Sequence, residues 1–515
     1  MSAIITEKFR LHNAEQFYES FSESSKNAYY LMVGKSTPFT AGTSGGTDDS
    51  PPTPADDVTS EFYVWDQTIA SKNIASTDIT YALPRRDWTN STVYDMYEDN
   101  ISSDNTTTSG ATNLYDSTFF FRTSDNRVYK VLDNNAGAAY SGAEPTSESS
   151  SAFELGGYTL RYMYTMTASE QTKFLTADFM PVSTDATISA AAVDGSVESL
   201  IVTAGSGYTN GTYYAPILGD GSNGVVSIVV SGGAIASFGL TAGTDTSINT
   251  AGSGYTYATV SLTTRIYTTA AAATTNDNST SLANSTGTIG GGSSGAVTVI
   301  ISPKGGHGYN AIEELGGHYV MMRATLTGAE NDDIHATNDF RNIAVVTDPT
   351  TYGTSTVASS ATYRQTFATK MTSTSGTFTV DEEITQATSG ARGRVVEHDS
   401  SNAILYYQQE RYQEYGTTNS STTVDGDGYT FGIGANAAFA TSLVITGTSS
   451  SAVGTPDSSA DSAVTLAGGN TVTFTNGLAN PELQPDSGNI IYNEYRKPIS
   501  RATDQTEDIK IIVEF

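Results

Sequence analysis

The residues of this sequence that could bind a metal are its histidines and carboxylates. Of the five histidines, only His307 and His318 lie near each other, and the sequence contains no cysteine. A zinc site needs three or four ligands at suitable spacing, so this pair predicts no zinc centre. The segment Gly305–Tyr309 is instead interpreted as a tight bend whose imidazole ring bonds to the backbone. No cofactor is expected.

Paired carboxylates could serve as an acid and a base or as calcium ligands. Glu313–Glu314 and Glu382–Glu383 are such pairs, but adjacent acids are common in an acidic chain and nothing orients them as a couple. Asp425–Gly428 resembles the start of a calcium loop, yet the twelfth position holds Asn436 where glutamate is required. The sequence therefore predicts no catalytic site, and the protein is not expected to be an enzyme.

Three glycine motifs match patterns found in enzymes. Gly219–Gly224 matches G-x-G-x-x-G, which needs a following helix to bind a dinucleotide pyrophosphate. Val225–Val230 follows and predicts a strand, so the motif indicates a hairpin. Gly42–Gly46 and Gly291–Gly295 match G-x-S-x-G, but both lie in low-complexity loops and not between a strand and a helix.

A short charged segment near residue 85 is the most distinctive polar feature. Two arginines precede Asp87 and Trp88, and Pro84 prevents a helix there. Arginine and tryptophan are enriched at interface hot spots, but an arginine–aspartate pair inside the protein is the favoured interpretation. The residues predicted to form an interface or a structural network are Arg85, Arg86, Asp87, Trp88, Arg341, Arg496 and Asp504.

Alternating apolar and polar residues predict the strands that position these side chains. A helix is predicted only over Asn13–Phe21, where apolar residues recur at helical spacing. The predicted strands are Tyr29–Val33, Phe119–Arg122 paired with Arg127–Leu132 across Ser124–Asn126, Tyr158–Met166, Phe340–Thr347 and Ile509–Phe515.

Composition favours a mainly β protein and limits its partners. The 515 residues carry a net charge of −30, so the chain repels phosphate backbones and no nucleic-acid binding is expected. No apolar run is long enough for membrane insertion, and residues 1–13 lack the apolar run of an export signal. Glycine, serine and threonine are abundant, as expected for short strands joined by tight turns.

Two regions differ in composition from the rest of the chain. Residues 186–302 contain a repeat, in which the segment Ala204–Thr209 (AGSGYT) recurs 47 residues later. The repeat predicts two copies of a small β-unit with glycine turns and packed tyrosines. Residues 268–296 are predicted to be a loop. Residues 351–478 predict a second small all-β insert with strands at Phe378–Ile384, Gly393–Val396 and Ile404–Tyr407.

Four stretches together resemble a known family. They are Ala3–Phe9 with Phe17–Tyr18 and Gly34–Pro38, Leu83–Trp88, Phe340–Pro349 and Ser487–Phe515. In the same order they are similar to the baseplate wedge subunit, the gene product eight family, of T-even-like contractile-tailed phages. The similarity extends over residues 1–185, 303–350 and 480–515, whereas the two compositionally distinct regions have no counterpart in the family.

The resemblance implies a fold, a set of partners and a location. The expected fold is a β-sandwich core with short helices in loops and two inserted small all-β domains. The expected function is to link neighbouring wedge proteins as a homodimer in the virion tail baseplate, to rearrange on contraction, and to assemble in the host cytoplasm. The predicted segments are 1–185 as the N-terminal portion of the core, 186–302 as the first insert, 303–350 as the central portion of the core, 351–478 as the second insert and 479–515 as the C-terminal core strands.

Two other functions are open at this point. The inserts of a virion adhesin would bind host surface glycans, and tyrosines in glycine-rich loops suit stacking on sugars. A glycan-degrading enzyme would need two opposed carboxylates about 5–10 Å apart in a cleft, and the sequence shows no such pair.

Overall fold

The protein is mainly β with a few short helices, which confirms the predicted fold class. The computed structural model describes residues 6–23, 27–39, 46–275, 289–328, 330–335, 338–409, 422–424, 430–432, 438–498 and 505–515. Across these ranges, none of the helices combines the length and hydropathy needed to span a bilayer.

The regular elements within the described residues are numbered in chain order. The helices are α1 (Glu7–Glu19), α2 (Val58–Gln67), α3 (Ala168–Phe174), α4 (Ala186–Ala191), α5 (Ala270–Thr275) and α6 (Ala311–Leu315). The strands are β1 (Tyr29–Gly34), β2 (Thr68–Asn73), β3 (Ile79–Pro84), β4 (Phe120–Arg122), β5 (Arg127–Asp133), β6 (Phe153–Leu155), β7 (Tyr158–Thr165), β8 (Phe179–Pro181), β9 (Val197–Ser206), β10 (Gly211–Pro216), β11 (Leu218–Gly219), β12 (Ser222–Ser231), β13 (Ala234–Ile235), β14 (Ser247–Ser253), β15 (Ala258–Thr259), β16 (Ser293–Ile301), β17 (Tyr319–Thr327), β18 (Asn342–Thr347), β19 (Thr362–Arg364), β20 (Phe367–Ser375), β21 (Glu383–Gln386), β22 (Ala391–Asp399), β23 (Ile404–Gln408), β24 (Thr422–Val424), β25 (Thr430–Gly432), β26 (Ile445–Gly447), β27 (Val453–Pro456), β28 (Ala463–Thr465), β29 (Thr471–Thr473), β30 (Leu478–Ala479), β31 (Asn489–Tyr495) and β32 (Thr506–Glu514).

Helix capping explains why apolar periodicity alone misplaced one helix and missed others. Helix α1 begins six residues before the predicted start, where the hydroxyl of Thr6 accepts a hydrogen bond from Phe9 N. Helix α2 was not predicted, although Asp57 caps it by accepting from Ser60 N at 2.7 Å. Helix α3 was also not predicted, although Thr167 and Glu170 form a capping box, in which each side chain bonds to the other's backbone, and this pattern can be recognised in a sequence.

The chain divides into two compact units, which are described separately. Unit 1 comprises Met1–Gln16, Thr80–Met321 and Ile512–Phe515, and unit 2 comprises Phe17–Ile79 and Met322–Ile511. The finer division into five segments stays a prediction.

A four-stranded antiparallel sheet in the order β4-β5-β7-β6 belongs to unit 1. The predicted hairpin is confirmed, because Phe120 pairs with Lys130 and Arg122 with Val128 across a turn in which Asn126 has a φ of 63°. The predicted strand over Tyr158–Met166 is confirmed as β7. The buried apolar cluster around this sheet is rich in aromatic side chains, which include Phe119, Phe120, Phe121, Tyr129, Tyr140, Tyr158 and Tyr164.

Residues 197–301 of unit 1 form their own buried apolar cluster. Strand β12 pairs with β10, β13 and β14, while β9 pairs with β16. The loop predicted over 268–296 is wrong at both ends. An alanine run, which favours helix, forms α5, and β16 already begins at Ser293 opposite Ser206. Residues 276–288 of that prediction lie outside the described residues.

The two copies of the AGSGYT repeat make the same contacts with different partners. Tyr208 Oη accepts a hydrogen bond from Gly295 N at 3.0 Å, and Tyr255 Oη accepts one from Gly224 N at 3.1 Å. The first copy therefore pairs with the strand beginning at Ser293, and the second with the strand beginning at Ser222. Both partner strands begin with the same pattern, which is a serine, a residue at positive φ and a glycine. This shared pattern is a second part of the repeat, and the sequence analysis did not identify it.

A five-stranded sheet in the order β19-β2-β1-β18-β31 belongs to unit 2. Strands β1 and β18 confirm the predictions over Tyr29–Val33 and Phe340–Thr347, and they pair in antiparallel register from Tyr29 opposite Thr347. The two strands are buried along their whole length, which matches their nearly continuous apolar sequences.

Six strands of unit 2 close into a ring, because β20 pairs with both β23 and β27. The strand predicted over Phe378–Ile384 is wrong for its first five residues. Glu382 accepts hydrogen bonds from Thr379 N and from Ser450 N, and these bonds hold the segment in a turn before β21. The strands predicted near 393 and 404 are confirmed as β22 and β23.

The last strand of the chain confirms the period of two predicted at the C-terminus. In β32, Ile509 and Ile511 are buried, whereas Asp508 is exposed and Lys510 is half-buried.

Candidate functional site: the Arg85–Trp88 network

The segment after β3 is held in an extended conformation beside β4 in unit 1. Arg85 N donates to Asp178 O, Trp88 N donates to Arg122 O, and Arg122 N donates to Arg86 O, each at 2.7 Å. The chain leaves β3 after Pro84, and its next residues pair with β4.

Asp87 joins Arg85, which follows β3, to Arg122 of β4. Arg85 contacts it through Nε and through Nη2 at 2.7 Å, and Arg122 Nε donates to its Oδ1 at 2.9 Å. The hydrogen bonds from Arg85 lower the pKa of Asp87, and the same contact raises the pKa of Arg85. Arg85 Nη1 also donates to Thr176 O at 2.7 Å, so the guanidinium is fixed from two sides.

Arg86 points away from this ion pair and packs on the aromatic core. Its guanidinium carbon lies 4.4 Å from the ring centre of Phe120, and its Nη2 donates to Tyr115 O at 3.0 Å. Burial lowers its pKa to about 10. Among the described residues, Arg86 Nη1 has no hydrogen-bond partner. The side chain therefore acts as a cation–π support for β4.

Trp88 is partly buried and lies edge-to-face with Tyr140, with ring centres 5.8 Å apart. Its Nε1 is buried and has no partner among the described residues. Of the four consecutive residues, only Asp87 is exposed. The geometry is that of a network internal to unit 1, while its role in an interface stays a prediction.

The remaining predicted residues belong to unit 2 or lie outside the described residues. Arg341 is buried and donates from Nε and Nη2 to the two carboxylate oxygens of Asp48, each at 2.9 Å. It also donates to the backbone oxygen of Ser36. Arg496 lies over the ring of Phe340 at 5.4 Å, and its N donates to Arg341 O. Asp504 lies outside the described residues.

A fully buried ionic cluster in unit 1 was not predicted from the sequence. Lys130 Nζ lies 2.5 Å from Glu314 Oε1 and 2.8 Å from His307 Nδ1, and it lies 3.4 Å from the ring centre of Tyr97. Glu314 Oε2 accepts from Gly308 N at 2.6 Å. The imidazole of His307 bonds to side chains, so the prediction that it bonds to the backbone is wrong. The predicted bend is present, with Gly308 at a φ of 83°.

Burial and the neighbouring charges set the pKa values in this cluster. Burial lowers the pKa of Lys130 to about 8, although Glu314 partly opposes this shift. Burial disfavours ionisation of Glu314, but the charge of Lys130 and the hydrogen bond from His307 hold its pKa at about 2. Burial and Lys130 lower the pKa of His307. At neutral pH the cluster is an ion pair with a neutral imidazole, and its groups are engaged with one another.

Arg161 connects this cluster to β9. It donates from Nη1 to Glu198 Oε2 at 2.5 Å and from Nη2 to His307 O at 3.0 Å. Lys130 and Arg161 face each other in the register of β5 and β7. Lys130 and Arg161 could have been recognised in the sequence, because each is a basic residue within a strand whose other residues are mostly apolar.

The geometry weighs against the enzymatic and glycan-binding alternatives. Glu382 accepts four hydrogen bonds from Ser449 and Ser450, so it is a turn-fixing group and not half of an acid–base couple. Gly219–Gly224 leads into strand β12, which begins at Ser222 within the motif, and not into the helix that a dinucleotide site needs. Within the described residues no group of three or more histidines and carboxylates could hold a metal. The calcium-loop-like segment at Asp425–Gly428 lies outside the described residues.

The repeat tyrosines do not support sugar stacking. Tyr208 and Tyr255 are at most 9% exposed, and their rings lie against glycines of the partner strands. A hypothetical Cβ on Gly292 would meet the ring of Tyr208 at 2.3 Å, and one on Gly221 would meet the ring of Tyr255 at 2.5 Å. These glycines are therefore required for ring packing, and the two tyrosines have no free face for a ligand.

Comparison with known proteins gives a family match for one region of the chain. No curated protein matches the sequence. Residues 3–137, about a quarter of the chain, match the family model described as Bacteriophage T4, Gp8. The matched range includes the whole Arg85–Trp88 segment and its partner Arg122. Over this range the chain is similar to a phage baseplate structural protein.

Proposed function

We propose that this protein is a structural component of a phage baseplate wedge, which links neighbouring wedge proteins and rearranges when the tail contracts. The observation that carries the proposal is the match of residues 3–137 to the Gp8 baseplate family. The chain acts through protein–protein contacts, as a homodimer in the virion tail, after assembly in the host cytoplasm.

Two observations support a structural role. The charged groups of the Arg85–Trp88 network and of the Lys130 cluster bond to one another and tie together segments distant in sequence. The net charge of −30 favours partners with basic surfaces and disfavours nucleic acid.

Reconstitution tests the proposal directly. The purified chain is mixed with the other baseplate proteins encoded beside it, and complexes are detected by size-exclusion chromatography with light scattering. A defined complex with at least one of them, and a dimeric mass for the chain alone, are expected. A chain that stays a free monomer in every mixture would contradict both the scaffold role and the homodimer.

Rearrangement on contraction needs a second measurement. Cross-links between this chain and its neighbours are mapped by mass spectrometry in baseplates before and after triggering. The proposal expects a set of residue pairs that changes with the state of the tail. An identical set of cross-linked pairs in both states would indicate a static scaffold and would contradict the proposed rearrangement.

A further inference from the structure

A cleft of about 730 Å³ lies in unit 1, and every residue that lines it belongs to this unit. Lys8, Tyr97 and Tyr115 line it from the range that matches the Gp8 family model. Asp194 and Gly254–Thr256 line it from the compositionally distinct residues 186–302, and Gly254 N donates to Asp194 O at 2.8 Å. The compositionally distinct region therefore helps to form a cavity with the family-like region.

One polar group at the cleft is buried and unpartnered. Tyr97 lines the cleft, is 5% exposed, and packs edge-to-face against His307. Among the described residues, its hydroxyl has no hydrogen-bond partner, although buried tyrosine hydroxyls usually have one. Burial raises the pKa of Tyr97, so the hydroxyl stays neutral and can both donate and accept. It is therefore available to a polar ligand group that enters the cleft.

The negative charge of the cleft is only partly compensated. The carboxylates that line it are Asp99, Asp194, Glu313 and Glu314. Glu314 is paired with Lys130, and Asp194 Oδ1 accepts from Gly305 N at 2.6 Å. Asp99 and Glu313 have no ion-pair partner within the described residues. Desolvation raises the pKa of Asp99, although backbone N–H groups oppose the shift, as expected for a carboxylate that lacks a counter-charge.

A second cavity of about 310 Å³ continues the cleft along helix α1. Lys8, Lys304 and Glu313 line both cavities, so the two are adjacent parts of one groove. The second cavity is partly apolar, and its lining includes Leu11, Tyr81 and Ile312. A groove with a charged end and a partly apolar end suits a segment of polypeptide.

The distribution of charge decides the occupant. Lys8 and Lys304 lie where the cavities meet, whereas the described residues that line only the first cavity include Asp99 and Asp194 and no lysine or arginine. A phosphate or an acidic side chain would place its charge beside these carboxylates, which costs free energy. A lysine or arginine side chain would compensate them. A second copy of this chain is disfavoured as the occupant, because it has 55 acidic residues against 25 basic ones.

We propose that this cleft binds a lysine or arginine side chain of a neighbouring baseplate protein. The cationic group pairs with Asp99 and Asp194 and bonds to the hydroxyl of Tyr97, and the segment that carries it follows the second cavity along α1. This inference rests on the proposed function, because it specifies the partner of that same scaffold.

The first test captures the segment in the reconstituted complex of the full chain. A photo-reactive p-benzoylphenylalanine replaces Lys304 in one variant, and the exposed Leu240 of unit 1, outside the cleft, in a control variant. After irradiation, mass spectrometry should identify a lysine- or arginine-containing segment of another baseplate protein at position 304 and not at position 240. Capture of a second copy of this chain, of a segment without lysine or arginine, or of no segment in a complex that forms, would overturn the inference.

Two conservative substitutions measure the contribution of the cleft to binding. Asp99→Asn removes a charge but keeps an acceptor oxygen, and it should raise the Kd of the complex about tenfold at low salt and less at high salt. Tyr97→Phe removes only the unpartnered hydroxyl, so it should raise the Kd about fivefold and leave the melting temperature unchanged. Asp104→Asn, at an exposed carboxylate outside the cleft, is the control and should leave the Kd within twofold.

The outcomes separate this inference from the proposed function. A complex whose Kd is unchanged in both cleft variants would overturn the cleft as a binding site and leave the scaffold role intact, whereas no complex with the wild-type chain would overturn the scaffold role as well. Replacement of the captured lysine or arginine by methionine should raise the Kd as Asp99→Asn does, and the two changes together should cost less than their sum. Strictly additive effects would contradict the pairing with Asp99.

Discussion

Lys130 Nζ lies 2.5 Å from Glu314 Oε1, and both side chains are at most 2% exposed. The two residues are 184 positions apart in the sequence, so this pair fixes the turn after residue 305 and helix α6 onto strand β5. Taking two charges out of water is costly, and the pair is tolerated because His307, Tyr97 and Gly308 N surround it with favourable contacts.

Removal of one partner from this pair should destabilise unit 1 strongly. Lys130→Met leaves Glu314 buried without its counter-charge, which should cost about 3–5 kcal/mol. The double variant Lys130→Met/Glu314→Leu should recover much of the loss, because both charges are then removed. Urea unfolding monitored by tryptophan and tyrosine fluorescence measures the difference, and Lys304→Met, at an exposed lysine, is the matched control. Equal losses in the single and double variants would contradict the assigned pairing.

The same pair predicts a dependence of stability on acid. The folded pKa of Glu314, about 2, lies below its ordinary value of 4.5, so ionised Glu314 stabilises the fold. This contribution is fully present above pH 4.5 and is lost as the pH falls from 4.5 towards 2. The free energy of unfolding of the wild-type protein should therefore fall more steeply over this range than that of Lys130→Met/Glu314→Leu. Parallel curves would show that Glu314 does not titrate as described.

The hydroxyl groups of the repeat tyrosines should contribute to stability through their hydrogen bonds. Tyr255→Phe removes both the acceptor of the buried Gly224 N and the donor to Ile217 O, and should cost about 1–3 kcal/mol. Tyr208→Phe acts on the partly buried Gly295 N and should cost less. Tyr257→Phe, at a ring that is 64% exposed, is the control and should be near neutral. Hydrogen exchange should accelerate at the amides of Gly224 and Gly295 respectively, and unchanged exchange would refute the contacts.

Glycine is required at the first glycine of each repeat copy. Gly205 has a φ of +58°, and an added Cβ would lie 2.4 Å from Gly295 N on the paired strand. Gly205→Ala therefore combines backbone strain with a backbone clash and should cost about 3 kcal/mol or more. Gly243→Ala isolates the strain, because φ is +88° with no atom within 4 Å, and should cost about 1–2 kcal/mol. Thermal unfolding compares the two, and equal costs would mean that the clash is relieved by movement of β16.

Asp87→Asn distinguishes an internal network from an interface anchor. The substitution removes the charge that holds Arg85 and Arg122, and because Asp87 is exposed the loss of stability should be about 1 kcal/mol or less. If the network is internal, the Kd of the wedge complex should stay within twofold, and Asp104→Asn serves as the control. A tenfold or larger rise in Kd with unchanged stability would instead identify Asp87 as an interface residue.

The sequence by itself determined the β character and the positions of several strands. Alternation of side chains marked β32, where one face is buried, whereas a nearly continuous apolar run marked β18, which is buried on both faces. The glycine–tyrosine repeat was also visible, because its positive-φ turns demand the same residues in both copies.

Only the tertiary structure decided which distant residues meet. Lys130, His307 and Glu314 look unremarkable in sequence, because burial of a charge depends on partners that the chain supplies more than 170 positions away. The local sequence also does not show that the first repeat copy pairs with the strand from Ser293 and the second with the strand from Ser222. Both strands begin with the same serine–glycine pattern, so either copy could bond to either of them. Local pattern fixes which face of a strand is apolar, whereas pairing free energies across the whole chain select its neighbours.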